Sequence, residues 1–229
     1  MNENIKIAVI GCGYWGKNLV RNFSEIGNLA AIFDSCEKTA VQIADKYKVE
    51  FKSWESILAD DSIDGVVIAT PAPMHYELAS KVLAAGKSVF IEKPLALNTS
   101  DAKKLIDKAR NENKTLMVGH LLQYHSAFIK VKELVALGAV GDLYRIYSNR
   151  LSFGKVRTEE NVLWSFAPHD ISMILSLIGE EPIRIDASGS SHLSDLIEDY
   201  VQVQLEFNNH ISAHIFVSWL NPFKEQKLV

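Results

Sequence analysis

The chain has 229 residues, 48% of them hydrophobic and 23% charged, with a formal net charge of -4. This is the profile of a globular protein with one large domain or two small ones, and it lacks the excess positive charge that binding a phosphate backbone requires. No apolar run approaches the ~18 residues of a membrane span, and two cysteines, Cys12 and Cys36, are too few for a disulfide framework. The opening "MNENIKIAVIGCG" has neither the charged leader nor the cleavage site of a secretory signal. A cytoplasmic protein with free thiols is expected, with no metal, nucleic acid or membrane among its partners.

In chain order, the apolar runs "IKIAVI", "LAAIFD", "GVVIAT", "KSVFIE" and "TLMVGH" each precede an amphipathic stretch. Short β-branched runs without polar alternation are strands buried on both faces, and their alternation with helices predicts a doubly wound parallel sheet. Asn98 to Asp101 read as the cap of the helix "AKKLIDKARNE", and Gly86 as the glycine that ends "MHYELASKVLAAG". After about residue 120 the texture changes. A helix "FIKVKELVALG" ends at Gly138, a short helix is expected over "HDISMILSLIG", and long runs such as "GDLYRIYSNRLSF", "EDYVQVQLEFNN" and "HISAHIFVSWL" alternate. Val201, Val203, Leu205 and Phe207 alternate with Tyr200, Gln202, Gln204 and Glu206, so one face of this second sheet is apolar and the other polar. The expected organisation is an α/β domain over residues 1–120 and an α+β domain with an open, mostly antiparallel sheet over 121–229. The sequence stops at "NPFKEQKLV" where a partner strand is about to run, so the second domain reads as truncated.

"IAVIGCGYWGKNLV" carries Gly11, Gly13 and Gly16 in the G-x-G-x-x-G spacing, between a strand and a helix. The first glycine makes the turn, the second admits a pyrophosphate to the backbone, and the third lets helix and strand pack closely. Asp34 ends the second strand at the distance of about 20 residues expected for the acid that binds the adenine ribose hydroxyls. A carboxylate repels a 2′-phosphate and no arginine follows it in "DSCEK", which favours NAD over NADP. Tyr14, Trp15 and Ser35 are counted with these cofactor contacts. Lys93, in "SVFIEKP", stands at the carboxyl end of another parallel strand, where open α/β sheets place ligands. Poor solvation there lowers a lysine from its usual ~10.4 toward useful proton transfer, and Pro94 aims it.

With "GCGYWG", "ATPAPMHYELA", "EKP" and "APHDI" in this order along the whole chain, the sequence resembles the glucose-fructose oxidoreductase, inositol dehydrogenase and rhizopine-catabolism (Gfo/Idh/MocA) family. The resemblance implies an N-terminal Rossmann domain that binds NAD, and a C-terminal domain for substrate binding and oligomerisation, giving a homodimer or homotetramer. It makes Lys93 catalytic and places Glu92 on the nicotinamide ribose. It also puts Thr70, Pro71 and His75 beside the cofactor, and His169 beside the nicotinamide. Relatives often carry an aspartate four residues before this histidine, where Ser165 stands here. Proton removal then falls to His169 or Lys93, the preferred assignment being His169 as base with Lys93 polarising the oxygen, and the reverse remaining open. Asp170 either orients His169 or caps its helix.

"GHLLQYHSAF" and "NVLWSFAPHDISMIL" resemble the branch that oxidises C3 of a UDP-N-acetylglucosaminuronic acid. Gln123 and Tyr124, with His120 and His125 beside them, are assigned to the substrate. So are Arg150, Lys155 and Arg157, whose cations suit its carboxylate and diphosphate. The resemblance to this branch implies that the cofactor stays bound and is reoxidised by a 2-oxo acid such as 2-oxoglutarate. The competing readings are a dehydrogenase of free sugar or inositol, a cofactor-binding sensor on the same fold, and an NAD-dependent glycosidase.

Overall fold

The computed structural model describes residues 5–153, 157–158 and 160–229. Two compact units, Met1–Gly119 and His120–Val229, divide the chain.

In the first unit, β1 (Ile7–Ile10), β2 (Leu29–Phe33), β3 (Glu50–Phe51), β4 (Gly65–Ile68), β5 (Ser88–Ile91) and β6 (Leu116–Val118) form a parallel sheet in the order β3-β2-β1-β4-β5-β6. Between them run α1 (Gly16–Glu25), α2 (Glu37–Tyr47), α3 (Trp54–Ala59), α4 (His75–Ala84) and α5 (Thr99–Asn111). The strand pattern explains the layers. Ala8 and Ile10 of β1 and Val66 and Ile68 of β4 enter one core with Leu83 and Leu105, while Val9 and Val67 enter the opposite core with Val20 and Ile32. Both faces are covered, so the strands show no polar alternation. The order reverses between β1 and β4, and their carboxyl ends open the crevice where such sheets bind ligands.

The cap signals translate directly. Asn98 accepts a hydrogen bond from the Asp101 amide at 2.8 Å and opens α5, and Ser53 does the same for α3 from Ser56 at 3.1 Å. The two-residue β3 has no apolar run of its own and is defined by its pairing with β2.

The second unit contains α6 (Ser126–Ala136), β7 (Arg145–Phe153), α7 (Val162–Ile178), β8 (Arg184–Ser190), β9 (Tyr200–Glu206), β10 (Ser212–Ser218) and β11 (Leu220–Leu228). Its sheet runs β11-β7-β10-β9-β8, with β7 and β10 parallel and the other pairs antiparallel. Val201, Val203 and Leu205 are buried against α7, with Ile146 and Ile215, as the alternation requires. All of "NPFKEQKLV" but its last residue lies in strand β11, antiparallel to β7.

One helix differs in extent from the sequence expectation. Instead of starting near His169, α7 starts at Val162, capped by Asn161, and passes through Pro168. A proline inside a helix loses one donor and costs about 3 kcal/mol. Here Val162, Ala167 and Ile174, on both sides of it, are fully buried in the second core. Packing outweighs the local breaker.

Ile215 has no exposed surface. Ile215→Ala is expected to destabilise the second unit by about 2–5 kcal/mol, read as an earlier transition in urea, with circular dichroism and tryptophan fluorescence followed in parallel.

Candidate active site

The crevice of the first unit is made by backbone crowding. A Cβ on Gly16 would lie 1.8 Å from the Gly11 carbonyl oxygen, and one on Gly11, whose φ is +87°, would lie 2.8 Å from the Ala69 oxygen after β4. The first and third glycines are therefore obligatory: they bring the β1 turn against both α1 and the β4 tip. Gly13 has open space where a Cβ would stand, on the exposed side of the loop, where a phosphate would approach.

Asp34 is tied to this loop. Its carboxylate accepts the Cys12 amide at 2.7 Å and the Cys36 amide at 2.8 Å. Fixed in this way, it keeps oxygen lone pairs for ribose hydroxyls. Ser35 and Tyr14 are exposed, and the Lys17 ammonium lies 5.2 Å from the Tyr14 ring centre. These residues fit a dinucleotide: a glycine turn at a helix N-terminus, an open position at Gly13, and an anchored acid on the neighbouring strand.

On the other side of the crevice, β5 ends in Glu92 and Lys93, both half-buried. The Glu92 carboxylate accepts the Trp15 indole N–H at 2.7 Å. Burial raises its pKa above the ordinary carboxylate value, opposed by the Trp15 bond, the Lys93 amide and the charges of Lys93 and His75. His75 is 1% exposed, and its two ring nitrogens lie 2.7 Å from the Pro94 oxygen and 2.8 Å from the Thr70 oxygen. The imidazole thus lies between the backbone after β4 and the backbone after Lys93. Pro71 is exposed beside Thr70.

The second unit brings His120 and His169 together, edge to face, with ring centres 6.0 Å apart. His169 lies mid-helix in α7. Asp170 does not cap that helix, which Asn161 opens. Its buried carboxylate takes both the Arg150 guanidinium, at 2.6 and 3.1 Å, and the Ser148 hydroxyl, at 2.5 Å. Arg150, assigned from sequence to the substrate, is thus held in a buried ion pair with a side chain 11% exposed. Gln123 donates to the backbone and side-chain oxygens of Ser172 at 2.8 and 2.7 Å, fixing its loop to α7. Tyr124 is open at 67% exposure. Arg157 pairs with Glu160 at 2.7 Å, and Lys155 lies outside the described residues. His125 accepts from the Ala127 amide at 3.3 Å as the cap of α6. His120 could be found from sequence only as a histidine at a strand end. The partnership of Arg150 with Asp170, 20 residues apart, left no local signal.

Among the described residues no cluster of three or more His, Cys, Asp and Glu could hold a metal, and no helix is long and apolar enough to cross a membrane.

Comparison with known proteins agrees with this architecture. The model of the oxidoreductase family NAD-binding Rossmann fold matches residues 5–120, and that of the Gfo/Idh/MocA C-terminal domain matches 128–229.

The chain belongs to the Gfo/Idh/MocA oxidoreductase family.

Its first unit is the NAD-binding domain of that family. UDP-N-acetylglucosamine 3-dehydrogenase of Acidithiobacillus ferrooxidans is 28% identical over 217 residues, covering 94% of this chain and 67% of that protein. Inositol 2-dehydrogenase of Rhizobium meliloti is also 28% identical, over 204 residues, covering 85% and 61%. The crystal structure of GenD2 from gentamicin A biosynthesis, in complex with NAD, superposes with a TM-score of 0.91 at 25% identity, covering 100% of this chain and 69% of that one. The chain spans between 53% and 70% of the length of the curated relatives it matches.

The thiols flanking Asp34 should differ in reactivity. Burial, then the Asp34 charge, pushes Cys12 up to about 12, whereas hydrogen bonds from Thr39 lower exposed Cys36. Iodoacetamide at neutral pH is expected to label one thiol rapidly, mapped to Cys36 by peptide mass spectrometry, with Cys12 modified only after unfolding.

Proposed function

We propose that the chain forms the cofactor domain and part of the substrate domain of an NAD-dependent dehydrogenase that oxidises a secondary hydroxyl of a sugar or cyclitol. The observation carrying this reading is Lys93 at the tip of β5, beside a Glu92 carboxylate held in place and on the same crevice as the glycine loop and Asp34. Bound NAD supplies the hydride acceptor. Asp34 binds the adenine ribose, and its charge disfavours a 2′-phosphate there. Glu92 accepts from the nicotinamide ribose, Lys93 polarises or deprotonates the reacting oxygen, and His169 is the second proton-handling group. His120, 6.0 Å from it ring to ring, is placed to influence its orientation.

The preferred substrate is a UDP-linked N-acetylglucosamine-type sugar oxidised at C3, as in surface polysaccharide biosynthesis. The UDP-N-acetylglucosamine 3-dehydrogenase relative and the resemblance of the segments around Gln123 and His169 support it. The uronic acid form loses part of its support, because Arg150 is already paired with Asp170. Free inositol is the second reading, favoured by the inositol dehydrogenase of equal identity. A homo-oligomer formed through the open sheet, a cytoplasmic location and reoxidation by 2-oxoglutarate belong to the same proposal.

The test is reduction of NAD by the 229-residue chain, followed by absorbance, with UDP-N-acetylglucosaminuronic acid, UDP-N-acetylglucosamine and inositol in turn, with and without 2-oxoglutarate. Turnover is expected with a UDP-sugar, and Lys93→Met should lower kcat at least about 100-fold while leaving the Kd for NAD within about twofold. Turnover with inositol alone moves the assignment to the second reading. NAD binding without turnover of any of the three supports a sensor.

A further inference from the structure

The Glu92 carboxylate is enclosed by two residues far from it in sequence. Trp15, inside the glycine loop, donates its indole N–H to Oε1 at 2.7 Å. Gly119, at the end of β6, lies behind the carboxylate: a Cβ there would meet Oε1 at 3.0 Å and the carboxyl carbon and Oε2 at 3.1 Å. Gly119 is not among the glycines with positive φ, and its amide donates to the Ile91 oxygen at 2.8 Å, continuing the β5–β6 register. Its φ suits any residue, and the three atoms nearest a Cβ there all belong to the Glu92 carboxylate. The half-buried carboxylate with its raised pKa is consistent with such enclosure.

We propose that Trp15 and Gly119 form a slot that presents Glu92 as a fixed acceptor for the nicotinamide half of the cofactor, making both of them positioning residues. The proposal rests on the cofactor reading above. Trp15 belongs to the loop that faces the phosphates and Glu92 to the strand tip that carries Lys93, so the indole sets the distance between phosphate loop and reacting end. Gly119 prevents the carboxylate from being pushed toward that end. Without the indole N–H, Glu92 keeps its charge but loses a charge-assisted bond that selects one rotamer. With a methyl at 119 it must move by a few tenths of an ångström.

The experiment compares binding of NAD with that of ADP, which lacks the nicotinamide ribose, by isothermal titration calorimetry on the full chain. Trp15→Phe and Gly119→Ala are each expected to weaken NAD about tenfold, the worth of one charge-assisted hydrogen bond, with ADP unchanged within about twofold. In a Glu92→Ala background neither substitution should weaken NAD further, since the residue they position is gone. Equal losses for NAD and ADP would overturn the proposal, because the indole would then be shaping the phosphate loop. So would a loss that persists undiminished in the Glu92→Ala background, or unaltered NAD binding by both variants. Wild-type chain that binds ADP but not NAD would instead sink the cofactor reading, and the slot with it. Thermal unfolding of each variant separates these results from misfolding.

Discussion

The contact between Gly16 and the Gly11 carbonyl governs the cofactor half of this protein. No atom larger than hydrogen fits at Gly16, where a Cβ would lie 1.8 Å from that oxygen. The absence of two side chains lets α1 start directly behind the β1 turn, so its free amides face the same crevice as the carboxyl ends of β4 and β5. Asp34 then closes the loop from the neighbouring strand by accepting the Cys12 amide. Everything that bears on a dinucleotide in this unit hangs on that approach of bare backbone to bare backbone.

The sheet makes the crevice durable. Strands with both faces buried have one register that satisfies both cores, because a slip of one residue would exchange the two apolar sets. Ile10 and Ile68 belong to one core, Val9 and Val67 to the other, and β1 pairs with β4 through these residues without a shift. The strand tips therefore arrive level. From such a rim Glu92 and Lys93 project next to the loop, and His75 lies between the backbone after β4 and that after Lys93, against the Thr70 and Pro94 carbonyls. A buried imidazole wedged between these two carbonyls packs the rim at a place where two loops meet.

In the second unit a cation assigned from sequence to a ligand has a partner within the fold. Arg150 stands in an alternating strand near other cations, which reads as an anion site. In the fold it meets the buried carboxylate of Asp170, which also takes the Ser148 hydroxyl. A buried carboxylate without a partner costs several kcal/mol, and the guanidinium supplies that partner. Gln123 is similar: its amide spends itself on Ser172 and anchors the loop that carries His120 and His125. The same unit brings the rings of His120 and His169, nearly fifty residues apart in the chain, to 6.0 Å between centres.

The sequence by itself determined the doubly wound sheet, the glycine turn, the acid at the end of the second strand, the Glu-Lys-Pro tip and the apolar face of the second sheet. Each is a local pattern, set by period, spacing and the steric freedom of glycine, and each survives whatever packs around it. Only the tertiary structure decided that α7 runs through Pro168, that Arg150 belongs to Asp170, that His75 lies between two backbone carbonyls, and that Glu92 lies between Trp15 and Gly119. Most of these depend on which groups meet across about 20 to more than 70 residues of chain. Burial there fixes the partner of each polar atom, and local sequence carries no record of that partner.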